Sequence, residues 1–226
     1  MTLHDDLQQL RSAVERYAID VQPQPVQLAS GGWSTYYADV RVLTLHPLYA
    51  GLIGRLMAPA VIGSGAEAVG GMAMGCIALA SAVAAAALEQ GRTLPTFFVR
   101  PQPKDHGPQT KSAISQSIAE DGGPLVRPGR RVAVVEDTVT QGGSAMKAVE
   151  AIEAEGCEVV LVMAVIERHE GGGARFRERG QQPYGPSGAR PSIPFKRLFY
   201  TDEQGKLYVD EELERWVSAE GSPPAR

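Results

Sequence analysis

Cysteine is nearly absent from this chain. Cys76 and Cys157 are the two in 226 residues, each inside an apolar stretch, so neither a disulfide framework nor a zinc site is expected. An excess of positive charge is lacking too: 22 Lys and Arg against 26 Asp and Glu leave a formal net charge of -4. That balance argues against a general nucleic-acid binder, which displaces counterions with a basic surface, and points to small anions as partners. No apolar run is long enough to span a bilayer; the longest, Gly75 to Leu88, reads as a buried helix. The opening Met-Thr-Leu-His-Asp-Asp has no basic and then apolar leader, so no signal peptide is expected and a cytoplasmic protein is. No G-x-x-x-x-G-K-[ST] string occurs, and no internal repeat is present. Gly63-Ser-Gly-Ala-Glu-Ala68 half matches a dinucleotide fingerprint, but the helix-like stretch Leu48 to Ile62 precedes it where a strand is required.

What is present concentrates in Arg131-Val-Ala-Val-Val-Glu-Asp-Thr-Val-Thr-Gln-Gly-Gly-Ser144. Val132 to Val135 is apolar throughout, as in a parallel strand buried on both faces. Glu136 and Asp137 fall where that strand ends. From Ser144 to Glu155, Ala145, Val149 and Ile152 recur at helical spacing, with Gly156 as the C-terminal cap. The order is strand, acids, Gly-rich turn, helix. Unpartnered N–H groups and the positive end of a helix dipole attract phosphate, and glycines let the backbone come close. Two carboxylates beside such a pocket repel the phosphate itself. They therefore suit sugar hydroxyls or a hydrated Mg2+, and a phosphorylated ribose satisfies both halves. The competing interpretation is an ordinary strand-to-helix connection with solvated acidic caps.

Elsewhere, helical spacing runs from Leu3 to Tyr17 and from about Pro47 to Ala60, and Ser34 to Leu43 reads as one strand. Short strands are expected at Glu67 to Gly71, 95 to 99 and 158 to 166. This alternation predicts an α/β fold with a parallel sheet, helices on both faces, and a ligand site beyond the carboxyl ends of the strands. Pro101 to Gly129 reads as loose, with a short helix at Ser112 to Ala119, and Gly171 to Pro194 as a mobile surface excursion.

The motifs resemble those of the type I phosphoribosyltransferases, and within them the orotate phosphoribosyltransferases. The acidic, Gly-rich segment looks like that family's phosphoribosyl pyrophosphate motif. In family order come Leu28-Ala-Ser-Gly31, Ser34-Thr-Tyr-Tyr37, Leu45-His-Pro47, Val69-Gly-Gly71, Phe98-Val-Arg100, Lys104-Asp-His-Gly107, Glu167-Arg168 and Ile193 to Phe199. The resemblance implies one domain over 1–220: a parallel sheet flanked by helices, with a small hood from about 1–45 and 190–215. It also implies a mobile loop over about 101–129; the tail at 221–226 is expected from its own sequence to be disordered. The implied reaction is orotate plus phosphoribosyl pyrophosphate, with Mg2+, giving orotidine 5′-monophosphate and pyrophosphate, in a homodimer with shared active sites.

The resemblance also implies roles. Lys104 and His106, with Arg100, ride on the closing loop, commonly over the neighbouring subunit's site, where closure excludes water. Lys104 is expected to meet leaving-group charge, and His106 to act as a second cation or a proton donor. Glu136 and Asp137 address the ribose hydroxyls and the hydrated metal, with no direct metal ligand in the chain. Thr138 lies between the acids and the phosphate loop, where Thr140, Gln141, Gly142, Gly143 and Ser144 hold the 5′-phosphate. Tyr37 lies against orotate, Thr140 and Arg168 near its polar edge, and Gly70 and Gly71 approach pyrophosphate through the backbone. The chain departs from the family at Met74, Pro101 and Trp33, where lysine or another basic residue is common, and at Gln141, leaving a less cationic site. The segment from 107 to 129 is also longer than usual. Two alternatives stand beside the orotate assignment: transfer to another nucleobase, and a non-catalytic regulator that binds phosphoribosyl pyrophosphate.

Overall fold

The computed structural model describes residues 2–27, 33–102, 113–179 and 191–219. The helices are α1 (Leu3–Ala13), α2 (Arg41–Thr44), α3 (Pro47–Gly63), α4 (Gly75–Glu89), α5 (Gly143–Ala154), α6 (Ala174–Arg177) and α7 (Glu211–Ser218). The strands are β1 (Ile19–Gln27), β2 (Trp33–Ala38), β3 (Ala68–Met72), β4 (Thr96–Val99), β5 (Ile114–Gln116), β6 (Arg131–Val139), β7 (Glu158–Glu167), β8 (Phe195–Thr201) and β9 (Leu207–Val209).

Seven strands form the central sheet in the order β5-β4-β3-β6-β7-β8-β9. The pairings from β4 to β8 are parallel, and β5 and β9 close the edges antiparallel. β6 lies in the middle because it is apolar on both faces. Val132 and Val134 enter the core under α5, while Ala133 and Val135 enter the opposite core under α3 and α4. On that second side Gly54 lets the helices close up: a Cβ there would stand 2.4 Å from the Ala82 carbonyl of α4. The Ala-rich sequence of α4 serves the same close contact.

The chain runs from β3 outward to β4 on one side and from β6 through β7 to β8 on the other. The strand order therefore reverses between β3 and β6, which is where open α/β sheets leave a crevice for ligands. Beside the sheet, β1 and β2 form a separate antiparallel ribbon. Tyr36 pins this ribbon down. Its side chain is fully buried, its hydroxyl lies 2.7 Å from Thr201 Oγ1 of β8, and the neighbouring Thr35 hydroxyl donates to the Glu203 carbonyl at 3.2 Å. N- and C-terminal segments thus meet over one side of the sheet.

Four local expectations need correction. The strand expected from Ser34 to Leu43 stops at Ala38, because the Asp39 carboxylate accepts the Arg41 backbone N–H at 3.1 Å and turns the chain into α2. β1 was not foreseen; Pro23 and Pro25 mask it, and proline is tolerated there because the ribbon leaves β1 an edge strand. The helix expected at Ser112 to Ala119 is instead β5, paired with β4 through Val99 and Ile114. Its continuation is packed rather than loose, with Ala119, Leu125 and Val126 buried in the core under α5. Residues 171–179 are likewise no surface excursion: Phe176 is fully buried and stacks on Phe195 at 5.6 Å.

Candidate active site

The reversal point holds an open cleft of about 540 Å3. One wall is the β3–α4 turn, Met72 to Gly75; the other is the end of β6 with the start of α5, contributing Glu136, Asp137, Thr138, Thr140 and Ser144. Tyr37, Ala38, Asp39 and Arg41, from the end of β2 and the start of α2, line a further side with Arg168.

Besides the short α2, the helices α4 and α5 begin at this cleft, and neither has a side-chain cap. Among the described helices α1 is capped by Thr2 and α7 by Asp210; α2, α3, α4, α5 and α6 have no side-chain cap, and of these α4 and α5 are the longer helices whose starts open on the cleft. Their first N–H groups and positive dipole ends are left for an anion. The turn into α5 depends on Gly142, which has φ +74°, and a Cβ there would stand 2.9 Å from the Gly172 carbonyl. Gly172 in turn donates its N–H to the Thr140 carbonyl at 2.9 Å. Buried Glu167 accepts the Gly173 N–H at 2.6 Å and is ion-paired with Arg197, so the segment after β7 braces the turn. Sequence reading missed this brace because its residues lie in a stretch rich in glycine and charge.

Between the two helix ends sit Glu136 and Asp137. Glu136 is buried, and its Oε2 has no hydrogen-bond partner. Burial, reinforced by the negative Asp137 beside it, pushes the Glu136 carboxyl up to about 8. Asp137 is raised as well, chiefly by burial, against the pull of its Oδ1 accepting the Thr138 N–H at 2.6 Å. The pair is packed tightly against α4: a Cβ on Gly75 would stand 2.6 Å from Asp137 Oδ2. A buried carboxyl group with one unpartnered oxygen is ready for a cationic or hydroxyl-bearing ligand.

The two tyrosines divide by strand alternation. Tyr36 points inward, while Tyr37 is 45% exposed and lines the cleft. Arg168 is 3% exposed and already well partnered: Nε donates to Tyr36 Oη at 3.1 Å, Nη2 donates to Ser34 Oγ at 2.8 Å, and Glu170 lies at 3.4 Å. Its guanidinium also stacks over the Tyr36 ring at 4.3 Å.

Most expected site residues converge here. Tyr37, Glu136, Asp137, Thr138, Thr140, Ser144 and Arg168 line the cleft, and Gln141, Gly142 and Gly143 form the turn between them. Gly70 and Gly71 do not line it. They are buried in β3, where a Cβ would stand 2.1 Å from the Phe97 carbonyl and 2.3 Å from the Val135 carbonyl. These glycines answer to strand packing, and the cleft wall starts at Met72. Arg100 also lies outside the lining: it is hydrogen-bonded to Ser115 of β5 and rests 5.6 Å from the Phe98 ring. Lys104 and His106 lie outside the described residues. Asp39, Arg41, Ala73 and Met74 were not anticipated as cleft residues. Among the described residues no three His, Cys, Asp or Glu side chains gather as a metal cluster.

Comparisons with known proteins agree with this geometry. Residues 56–176 match the model of the phosphoribosyl transferase domain. The orotate phosphoribosyltransferase of Rhodopirellula baltica is 41% identical over 181 residues, covering 77% of this chain and 88% of the relative. That of Aquifex aeolicus is 37% identical over 174 residues, covering 76% and 90%. The crystal structure of Mycobacterium tuberculosis H37Rv orotate phosphoribosyltransferase in complex with 5-phospho-α-D-ribosyl 1-diphosphate superposes with a TM-score of 0.63 at 31% identity, covering 85% of this chain and 94% of that one. The fold, the strand-reversal cleft and these relatives together place the chain in the phosphoribosyltransferase family, among the orotate phosphoribosyltransferases.

Proposed function

We propose that this protein transfers the phosphoribosyl group of phosphoribosyl pyrophosphate to orotate, releasing pyrophosphate and forming orotidine 5′-monophosphate for pyrimidine biosynthesis. One observation carries the reading: two uncapped helix N-termini, of α4 and α5, open on a single cleft with Glu136 and Asp137 between them. A ribose bearing phosphate at one end and pyrophosphate at the other has that distribution of charge.

The 5′-phosphate is held by the first N–H groups of α5 with the Thr140 and Ser144 hydroxyls, and Gly142 lets the backbone approach. Glu136 and Asp137 accept hydrogen bonds from the ribose hydroxyls. The unpartnered Glu136 Oε2 and the adjacent Asp137 also fit a hydrated Mg2+, which these two residues would hold through its waters. When bound, Mg2+ supplies charge neutralisation at the diphosphate. As the bond from the anomeric carbon to pyrophosphate breaks, negative charge grows on the leaving group, and Lys104 is the cation assigned to it. His106 and Arg100 add positive charge from the same loop, closing over the partner subunit's cleft.

Orotate lies against the exposed ring of Tyr37, with Thr140 and Arg168 toward its polar edge. Arg168 acts there as a rigid donor, because Tyr36 and Ser34 lock its orientation. Val42, Leu45, Leu48, Met74 and Ile77 are exposed apolar side chains on the adjoining elements α2, α3 and α4, which suits a homodimer interface beside the cleft. Both cysteines are free and buried, in keeping with a reducing cytoplasm. No helix among the described residues is long and apolar enough to cross a membrane.

The test is orotate consumption with stoichiometric pyrophosphate release in the presence of Mg2+. Turnover of a purine base but not orotate replaces the base assignment; tight binding of phosphoribosyl pyrophosphate without pyrophosphate release replaces the enzyme with a sensor.

A further inference from the structure

The cleft is acidic, although its ligand is an anion. Asp39, Glu136 and Asp137 line it, and the wall from Met72 to Gly75 carries no charge. Two cations are among the lining residues, and they are not equivalent. Arg168 is buried, and its Nε and Nη2 are held by Tyr36, Ser34 and Glu170, which fixes it toward the base rather than leaving it free for a second anion. Arg41 has 53% of its side chain exposed. Its Nε donates to Asp39 Oδ1 at 2.8 Å and its Nη2 to Asp39 Oδ2 at 3.0 Å, so the fork is held in one orientation at the rim. This contact leaves the Nη1 amine and the second Nη2 proton for another acceptor. Arg41 lines the cleft together with Tyr37 and Asp137.

We infer that Arg41, oriented by Asp39, binds the pyrophosphate moiety from the rim of the cleft that it lines together with the uncapped start of α4. This inference rests on the phosphoribosyl-transfer reading of the same site. A planar, permanently charged guanidinium suits a diphosphate because it offers paired N–H donors at the spacing of two phosphate oxygens. The Asp39 clamp removes rotamer freedom before the ligand arrives, so little entropy is lost on binding. Arg41 also stands on α2, directly after the strand end bearing Tyr37, so the same short segment holds base and leaving group at a set distance.

The experiment titrates the full-length protein with pyrophosphate and Mg2+, and separately with orotidine 5′-monophosphate, by calorimetry. Arg41→Gln and Arg41→Lys are compared with wild type after their thermal unfolding is shown to match it. Arg41→Gln is expected to weaken pyrophosphate binding by about tenfold or more, as for loss of a charge-assisted donor pair. Orotidine 5′-monophosphate affinity should stay within about twofold, and Arg41→Lys should recover part of the pyrophosphate loss. Met74→Lys, which adds a cation to the uncharged wall from Met72 to Gly75 of the same cleft, should restore part of the pyrophosphate affinity in the Arg41→Gln background. Pyrophosphate affinity within about twofold of wild type in Arg41→Gln overturns the assignment, as does an equal loss for both ligands. Because the readout is pyrophosphate itself, a wild-type protein that binds it yet does not consume orotate counts against the proposed reaction and leaves the Arg41 assignment standing.

Discussion

Nε of Arg168 donates to the Tyr36 hydroxyl at 3.1 Å while its guanidinium stacks over the Tyr36 ring. One tyrosine thus fixes the arginine assigned to the base and also ties the N-terminal ribbon to Thr201 of β8. Tyr36→Phe keeps the stacking and removes the hydroxyl. The variant should lose about 1–2 kcal/mol of stability, the cost of leaving buried partners unsatisfied. It should raise KM for orotate several-fold with a smaller change in kcat. Steady-state kinetics beside urea unfolding check this, and an unchanged KM for orotate would detach Arg168 from the base.

The turn at Gly142 has both a left-handed backbone and no space for a side chain. Gly142→Ala should strain that conformation and push the turn away from the Gly172 carbonyl, costing about 1–2 kcal/mol of stability. The displaced N–H groups of α5 should lower phosphoribosyl pyrophosphate affinity by about tenfold or more. Calorimetric titration of the folded variant measures it. Wild-type affinity would mean that the 5′-phosphate binds elsewhere.

Much of this architecture is legible in the sequence for a simple reason: strands buried on both faces have no polar alternation. Val132 to Val135 therefore announces the middle of the sheet, and the acids after it announce the ligand end. β1 is hidden by Pro23 and Pro25, which an edge ribbon tolerates and a central strand does not. β5 is three residues long, too short for any period. Gly70 and Gly71 are expected to approach pyrophosphate through the backbone, and a glycine in sequence does not say what else approaches it; within β3 a Cβ on each would meet the carbonyls of Phe97 and Val135 respectively. Asp39 and Arg41 escaped notice because Val40 and Val42 around them continue a strand-like alternation. Their role is visible only once the chain turns at Asp39.

Lys104 is assigned to charge that appears as pyrophosphate departs. Lys104→Ala should therefore lower kcat by about 100-fold or more while changing phosphoribosyl pyrophosphate affinity by less than about tenfold. Single-turnover rates against equilibrium binding separate the two effects. An unchanged kcat would remove Lys104 from the mechanism.

Glu136 should destabilise the ligand-free protein. Its carboxyl is raised to about 8 in the folded state by burial and by Asp137, against about 4.3 in an unfolded chain. Below the lower value both states are protonated and no difference arises. Between the two values the unfolded chain ionises while the folded carboxyl holds its proton, so stability falls as pH rises through this window. Glu136→Gln removes that dependence. The ligand-free variant should melt higher than wild type by a few degrees near pH 8, corresponding to about 1–3 kcal/mol, and by much less near pH 5. Activity should fall in the same variant, because glutamine replaces an acceptor for the ribose hydroxyls and for hydrated Mg2+ with an amide. Thermal melts at the two pH values, read beside turnover, decide the matter: a lower melting temperature at pH 8 would mean that Glu136 is satisfied in the fold and is not held ready for ligand.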